Sequence, residues 1–166
     1  HHHHYLGLPK LVGEHLRYMV CLNGQPVACL AWASAAYKIK SRDDIIGWDP
    51  DTRRSRLHMV ANNTRFLVLP WIRVKYLASK ILSLNCKRLS DDWHHRYQHG
   101  LFFFFFFVDT PRFEGTCYKA ANWRYVGHTS GSSKRGNRYN HHGQPKAVYL
   151  YPLARHFKKE LAGDKG

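Results

Sequence analysis

Two clusters of basic residues have the composition of phosphate-binding sites. The first consists of three arginines: Arg53, Arg54 and Arg56. The second combines cations with ring side chains: Lys134, Arg135, Arg138, Tyr139, His141 and His142. Cations neutralise phosphates and rings stack on bases, so the second mixture is typical of proteins that bind single-stranded nucleic acid. A solvated helix face would explain the first cluster equally well, and a flexible surface loop the second.

Candidates for catalysis are fewer. Glu14 and Asp109 are carboxylates of the kind that hold the metal of a nuclease, although carboxylates beside strands also form caps and turns. A further group joins histidines with nearby aspartates: His94, His95, His99, Asp91 and Asp92. Their spacing completes no recognisable ligand set, so we predict no metal site.

The composition indicates one strongly basic domain. A chain of 166 residues, of which 44% are hydrophobic, suits a single folded core. Lys and Arg number 26 and Asp and Glu 11, which gives a formal net charge of +15 with His neutral. Such an excess of charge repels itself in a compact molecule, so we expect an anionic partner. DNA or RNA is the first expectation, and an anionic membrane surface or an anionic cofactor would also fit.

The cysteines and the hydropathy indicate the cellular compartment of the protein. No two of the four cysteines form a C-x-x-C pair: Cys21, Cys29, Cys86 and Cys117. This pattern fits a reducing compartment. No stretch approaches the roughly 18 apolar residues of a membrane span, and no signal peptide opens the chain. We therefore expect a cytoplasmic protein with no membrane partner.

Hydrophobic periodicity and turn signals predict alternating strands and helices. Strands are predicted at residues 15–22, 25–37, 65–69, 101–108, 123–127 and 147–151. Helices are predicted at residues 50–61, 72–88, 111–122 and 153–161. Loops are predicted at residues 38–46, 90–100 and 130–145, the last of them a mobile basic loop. The order predicts one α/β (α+β) domain over residues 1–166, with a mixed central sheet flanked by helices.

Local signals support several of these elements. Asn23-Gly24 is a strong signal for a two-residue hairpin turn. Asp49 or Asp51 is predicted to cap the first helix, with Pro50 near its first position. The six phenylalanines at residues 102–107 predict a central strand that is buried on both faces. Four tryptophans are interpreted as core residues rather than as a platform for bases: Trp48, Trp71, Trp93 and Trp123.

Seven segments together carry a family resemblance. They are HYLG at 4–7, LVGEHLRY at 11–18, IGWD at 46–49, NNTRFLVLPW at 62–71, FVD at 107–109, GTCYKAANW at 115–123 and YLYPL at 149–153. They resemble the DruA family of the Druantia anti-phage system, which is also found as a domain beside transposase sequences. The resemblance covers nearly the whole chain. It implies a prokaryotic protein that works with other subunits of a defence or transposition complex.

The order of elements is similar to the acetyltransferase (GNAT) fold, which implies an alternative function as an acyltransferase using acetyl-CoA. In that fold a glycine-rich turn before a helix cradles the pyrophosphate of coenzyme A. Here Arg73 and Lys75 supply cations, but the turn has no glycine, and Val74 and Tyr76 would obstruct a pyrophosphate. Tyr118 resembles the general acid of such enzymes, although it could equally be a helix residue that packs on the sheet.

The resemblance also bears on the extent of the chain. The first predicted strand corresponds to the second strand of the acetyltransferase fold, so we expect this chain to be a fragment that lacks an N-terminal strand and helices. The strand before Val108-Asp109 usually carries a Glu and a Thr in the family, where this chain has Phe105 and Phe106. Any role of that carboxylate is therefore absent here.

These observations favour a nucleic-acid-binding domain that needs no cofactor. Eight cations are predicted to contact phosphates: Arg53, Arg54, Arg56, Arg73, Lys75, Lys134, Arg135 and Arg138. The candidates for catalysis are Tyr118, Glu14 and Asp109, and whether the protein is an enzyme stays open. The choices between DNA and RNA, and between single strand and duplex, stay open as well.

Overall fold

A computed structural model describes residues 11–108, 115–129, 132–135, 138–141 and 145–153. Within these residues, six strands form one mixed sheet and two form a separate hairpin. The sheet consists of β1 (His15–Leu22), β2 (Gln25–Ser34), β3 (Val60–Val68), β4 (Phe103–Val108), β5 (Arg124–His128) and β8 (Ala147–Pro152). The hairpin consists of β6 (Ser132–Arg135) and β7 (Arg138–His141). The predicted mixed sheet is confirmed.

The sheet divides at its centre. Its strand order is β1-β2-β3-β4-β8-β5, and only β3 and β4 are parallel neighbours. Their ladder extends from Val60, opposite Phe103, to Asn63, opposite Phe106. Beyond Asn63, β3 continues to Val68 with β2 as its partner. The two parallel strands therefore separate towards their C-terminal ends and leave a fork in the sheet.

Helices cover both faces of the sheet. They are α1 (Lys40–Ile46), α2 (Pro50–Arg56), α3 (Leu77–Tyr97) and α4 (Thr116–Ala120). On one face, α3 packs its buried residues against the sheet together with Tyr118 of α4. On the other face, Ile46 and Trp48 pack against Val60 and Leu150. No helix of the described residues is both long enough and apolar enough to cross a lipid bilayer.

The phenylalanine strand β4 joins the two cores. It lies between β3 and β8 in the interior of the sheet. Phe104 faces the α3 side, where its ring lies 5.2 Å from that of Trp32, whereas Phe103 and Phe105 face the α1 side. All three are fully buried, and each contributes on the order of 1.5–3 kcal/mol through removal of its surface from water. The predicted burial on both faces is confirmed.

Two of the local signals are also confirmed. Asn23 and Gly24 connect β1 to β2 with positive φ values of 49° and 77°, as a two-residue hairpin turn requires. The carboxylate of Asp49 accepts hydrogen bonds from the backbone N–H groups of Asp51 and Thr52, with Pro50 in the first turn of α2. The choice left open between Asp49 and Asp51 therefore falls on Asp49.

Several predicted boundaries are wrong. Residues 38–46 were predicted to be a loop because they are charged, but they contain α1, whose Arg42 is fully buried beside Asp43. The helix predicted to reach residue 61 ends at Arg56 and is followed by a short 3-10 turn, and β3 begins at Val60 rather than Arg65. Asn63 lies within β3, where its side-chain amide donates to the carbonyl groups of Ala31 and Arg65.

The later elements differ in extent. Helix α3 begins at Leu77 rather than residue 72, and it continues to Tyr97 through the predicted connector, because buried Trp93 extends its apolar face. Of the helix predicted at residues 111–122, the described residues contain α4 at Thr116–Ala120, and residues 111–114 lie outside the described residues. Residues 130–145, predicted to be a loop, contain the hairpin of β6 and β7. All but the first residue of the helix predicted at 153–161 lies outside the described residues.

Candidate functional site

The turn between β3 and α3, residues 70–76, exposes aromatic and cationic side chains together. Trp71 is 59% exposed and Tyr76 is 71% exposed, and Arg73 and Lys75 are also exposed. The ammonium group of Lys75 lies 4.9 Å from the centre of the Tyr76 ring, within the range of a cation–π contact. The expectation that Trp71 is a core residue is therefore wrong, whereas Trp48, Trp93 and Trp123 are buried as predicted.

The backbone holds this turn in a defined shape. At its start, the N–H of Ile72 donates to the carbonyl of Leu69 at 3.0 Å. At its end, the carbonyl of Tyr76 accepts from the N–H of Lys80 at 3.1 Å and from the hydroxyl of Ser79 at 3.0 Å. Tyr76 caps α3 with a φ of 60°, in the left-handed region that residues other than glycine seldom adopt. The turn is thus fixed at both ends, and it holds Tyr76 in a strained conformation.

The exposed face of α3 continues the positive charge of the turn. Lys80, Leu84 and Lys87 are exposed at spacings of four and three residues, so they share one stripe of the helix. With a rise of about 1.5 Å per residue, this stripe extends for roughly 10 Å. We call the whole region the basic aromatic surface, and it comprises Trp71, Arg73, Lys75, Tyr76, Lys80 and Lys87.

The arginines of α2 lie on the other side of the molecule. The side chain of Arg53 is only 12% exposed and forms an ion pair with Asp43 at 3.4 Å. Its guanidinium lies 4.8 Å from the centre of the Tyr37 ring. Arg54 is exposed and pairs with Asp51 at 3.5 Å, and Arg56 is half-buried. Helix α1 and the residues that flank α2, Trp48 and Leu57, pack on the sheet face opposite α3. The structure therefore does not bring these arginines together with Arg73 and Lys75.

The remaining predicted cations lie on the β6–β7 hairpin. Lys134 is opposite Tyr139 in the ladder, and Arg135 is opposite Arg138. The structure thus places all three predicted cations in one short hairpin. Their contact with phosphate stays a prediction.

Glu14 takes part in a contact network at one end of the sheet. Its carboxylate lies 2.8 Å from Nε2 of His99, whose Nδ1 lies 3.1 Å from the carbonyl oxygen of Gly100. Nearby, the Tyr97 hydroxyl donates to the carbonyl of His15 at 2.7 Å and accepts from its N–H at 2.8 Å. These contacts connect the start of β1 to the segment between α3 and β4. They occur where β4 begins, whereas Asp109 follows the end of β4, outside the described residues.

Tyr118 lies at the fork between β3 and β4. It is 4% exposed, and its hydroxyl donates to Oδ1 of Asn63 at 3.4 Å. Its ring stacks on that of Phe106 with centroids 4.2 Å apart, and three further aromatic rings surround it: Phe66, Trp123 and Tyr149. These contacts agree with the alternative role given from the sequence, in which Tyr118 packs on the sheet. The acid role stays a prediction.

The titratable and metal-binding groups of the described residues form no further site. Within the described ranges, no group of three His, Cys, Asp or Glu side chains could hold a metal ion. Burial raises the pKa of the Cys86 thiol to about 12, which keeps it protonated and unreactive. Hydrogen bonds from Arg53 and Arg54 lower the pKa of exposed Tyr37.

Comparison with solved structures defines the class of fold. The aminoglycoside acetyltransferase AAC(6')-Ib in complex with coenzyme A and kanamycin is 13% identical, with a TM-score of 0.53, over 84% of this chain and 67% of that chain. The corresponding values are 12%, 0.53, 83% and 65% for a variant of the spermidine N-acetyltransferase SpeG from Vibrio cholerae. They are 14%, 0.52, 83% and 67% for an N-acetyltransferase from Staphylococcus aureus Mu50. This chain thus has an acetyltransferase (GNAT)-like fold and spans about two thirds of the length of these structures.

The sequence defines the family more narrowly. The model of the family described as Druantia protein DruA matches residues 1–136. The chain belongs to the DruA family, and the family relates it to a multi-protein anti-phage defence system. Both resemblances predicted from the sequence, the family and the fold, are confirmed. A search of curated proteins found no match.

Proposed function

We propose that this chain is the nucleic-acid-binding component of a prokaryotic anti-phage defence complex. The observation that carries the proposal is the basic aromatic surface, where four exposed cations lie close in the chain to two exposed rings. It belongs to a chain of net charge +15, which favours a polyanionic partner. Each phosphate neutralised by a Lys or Arg releases condensed counterions, so the surface supplies affinity without requiring a particular sequence.

Coenzyme A fits this surface poorly. A pyrophosphate must approach backbone N–H groups closely at a helix N-terminus, which is why such turns are rich in glycine. Residues 70–76 contain no glycine, and the bulky Val74 and Tyr76 are exposed there. Tyr118 is enclosed by rings rather than open to a substrate. We therefore expect no heat of binding when acetyl-CoA is titrated calorimetrically into the protein, and tight binding would favour the acyltransferase alternative.

The proposal predicts a steep dependence of nucleic-acid affinity on salt. The test compares the wild-type chain with a variant in which four cations of the basic aromatic surface are replaced by alanine: Arg73, Lys75, Lys80 and Lys87. Each lost phosphate contact lowers the slope of log affinity against log salt by about 0.7–0.9. Fluorescence anisotropy with a labelled oligonucleotide should therefore show a slope that is lower by about 3.

A matched control removes the same amount of charge elsewhere. Four exposed cations outside the surface serve for this purpose: Arg17, Lys38, Lys40 and Arg124. Their replacement by alanine should leave the slope nearly unchanged. Equal slopes for the two quadruple variants would show that the binding is diffuse. A third variant with alanine at Lys134, Arg135 and Arg138 measures how much the β6–β7 hairpin contributes to the salt dependence of binding in the same assay.

A further inference from the structure

We propose that the turn at residues 70–76 is a base-stacking site that selects single-stranded over double-stranded nucleic acid. This proposal rests on the proposed function and specifies its ligand. Trp71 and Tyr76 are the stacking residues, and Arg73 and Lys75 between them contact the backbone phosphates. The ligand class is a single strand of DNA or RNA with unpaired bases.

The exposure of Trp71 is the first observation. The chain has five tryptophans, and the other four are at most 7% exposed: Trp32, Trp48, Trp93 and Trp123. Trp71 alone among them is largely in water, on a turn whose backbone is fixed at both ends. An exposed apolar patch, unlike a single exposed residue, marks a site where a ligand or partner binds, and Trp71 shares its turn with exposed Val74 and Tyr76.

The conformation of Tyr76 is a second, independent observation. Its φ of 60° costs on the order of 1–3 kcal/mol for a residue with a side chain, and glycine or asparagine would adopt it more readily. The packed start of α3 holds Tyr76 in this state through its carbonyl, while its ring is directed into solvent at 71% exposure. Such strain is concentrated at functional sites. It is not explained by packing, because little of the ring is buried.

The chemistry of the turn favours unpaired bases over a duplex. In a duplex the bases stack on one another and offer no free face to a protein ring, whereas each base of a single strand exposes its π face. Stacking on aromatic side chains contributes about 1–3 kcal/mol per base and tolerates any sequence. Arg73 and Lys75 lie between the two rings in the chain, so phosphates and bases can be contacted within one short segment. The positive charge of the chain complements this ligand.

Tryptophan fluorescence gives a direct test on the whole protein. Because Trp71 is the one largely exposed tryptophan, a base stacked on it should quench the emission. We expect a 20-nucleotide oligothymidylate to quench and to bind more tightly than a duplex of the same length, whereas inorganic polyphosphate should bind without quenching. The double variant Trp71→Ala/Tyr76→Ala should bind the single strand at least about tenfold more weakly, and its duplex binding should change little.

Control variants that keep the charge of the protein distinguish a loss of stacking from a loss of folding. Tyr125→Ala removes another exposed ring, on β5, and should bind like the wild type. Trp71→Phe keeps a ring and should retain most of the affinity while losing the quenching. Because Trp71 and Tyr76 are exposed, the double variant should unfold at about the wild-type urea concentration, which shows that any loss of binding is local.

The outcomes distinguish this proposal from the proposed function. If the protein binds nucleic acid with a steep salt dependence but the double variant binds the single strand like the wild type, the stacking site is wrong and the proposed function stands. If neither oligonucleotide nor duplex binds at low salt, both are wrong. If vesicles containing anionic phosphatidylserine quench Trp71 and oligothymidylate does not, the turn is a membrane-contacting segment, and the stacking site is again wrong.

Discussion

At the scale of single residues, the ion pair of Arg42 and Asp43 lies inside the protein with several hydrogen bonds. The Arg42 guanidinium is fully buried and donates to Asp43 and to the carbonyl groups of Ala36 and Tyr37. Asp43 also accepts from the indole N–H of Trp48 at 3.0 Å. Burial lowers the pKa of Arg42, and the nearby Asp43 opposes that shift. The pair therefore fixes α1 to the segment that precedes it.

We predict that Arg42→Ala destabilises the protein by about 3–5 kcal/mol, because the carboxylate of Asp43 loses its closest ion-pair partner and the carbonyl groups of Ala36 and Tyr37 lose a buried donor. The measurement is the free energy of unfolding in urea. Lys40→Ala is the control on the same helix, since the pair of Lys40 and Asp44 is exposed and should contribute less than about 1 kcal/mol. Equal losses for the two variants would mean that Arg42 is not integral to the fold.

At the scale of elements, α2 depends on its cap. The helix has seven residues, none of them buried, so neither propensity nor packing stabilises it strongly. Asp49 compensates for this, because one carboxylate oxygen accepts from two backbone N–H groups and the other accepts from the Thr52 hydroxyl at 2.9 Å. The position of Arg54 on the surface therefore depends on a side chain before the helix.

Replacement of Asp49 by alanine should lower the free energy of unfolding by about 1 kcal/mol, because two N–H groups of the first turn lose their acceptor. Asp49→Asn is the matched variant, since asparagine caps nearly as well, and it should lose only a small part of that amount. Thermal unfolding followed by circular dichroism measures both. A larger loss for the asparagine variant would contradict the capping role.

The elements also show how far the sequence predicts the structure. The strand β1, the turn at Asn23-Gly24 and the buried strand β4 depend on local patterns, and the sequence predicted them closely. The sequence predicts a loop in place of α1 because charged residues usually indicate exposure, and only the fold pairs Arg42 with Asp43 inside the protein. The sequence predicts Trp71 in the core because a single sequence does not reveal which ring stays exposed in the fold. The cations of the turn were predicted, but their partner rings were not.

At the scale of the whole molecule, the compact fold brings many positive charges close together. The chain has 26 basic and 11 acidic side chains, and its sheet requires both faces to be covered within one compact body. Like charges that the fold brings together raise the free energy of the folded state. The basic aromatic surface on the α3 side is where a polyanion would relieve this repulsion.

We therefore predict that the protein becomes more thermally stable as sodium chloride is raised from about 10 to about 150 mM at pH 7. The Debye length falls from about 30 to about 8 Å over that range, so repulsion between surface cations is screened. Differential scanning calorimetry should show a melting temperature that is several degrees higher. A Lys80→Glu/Lys87→Glu variant should show a smaller increase, and a melting temperature that falls with salt would contradict the prediction.

The phenylalanine strand β4 has a consequence for the chain before it folds. In the native sheet its ring side chains are covered from both sides, but its parallel partner β3 is joined to it only through the long helix α3. Until that crossover closes, six consecutive aromatic residues without charge or proline are open to other chains, and such segments assemble into intermolecular β-structure. Recovery from denaturant should therefore fall steeply with protein concentration.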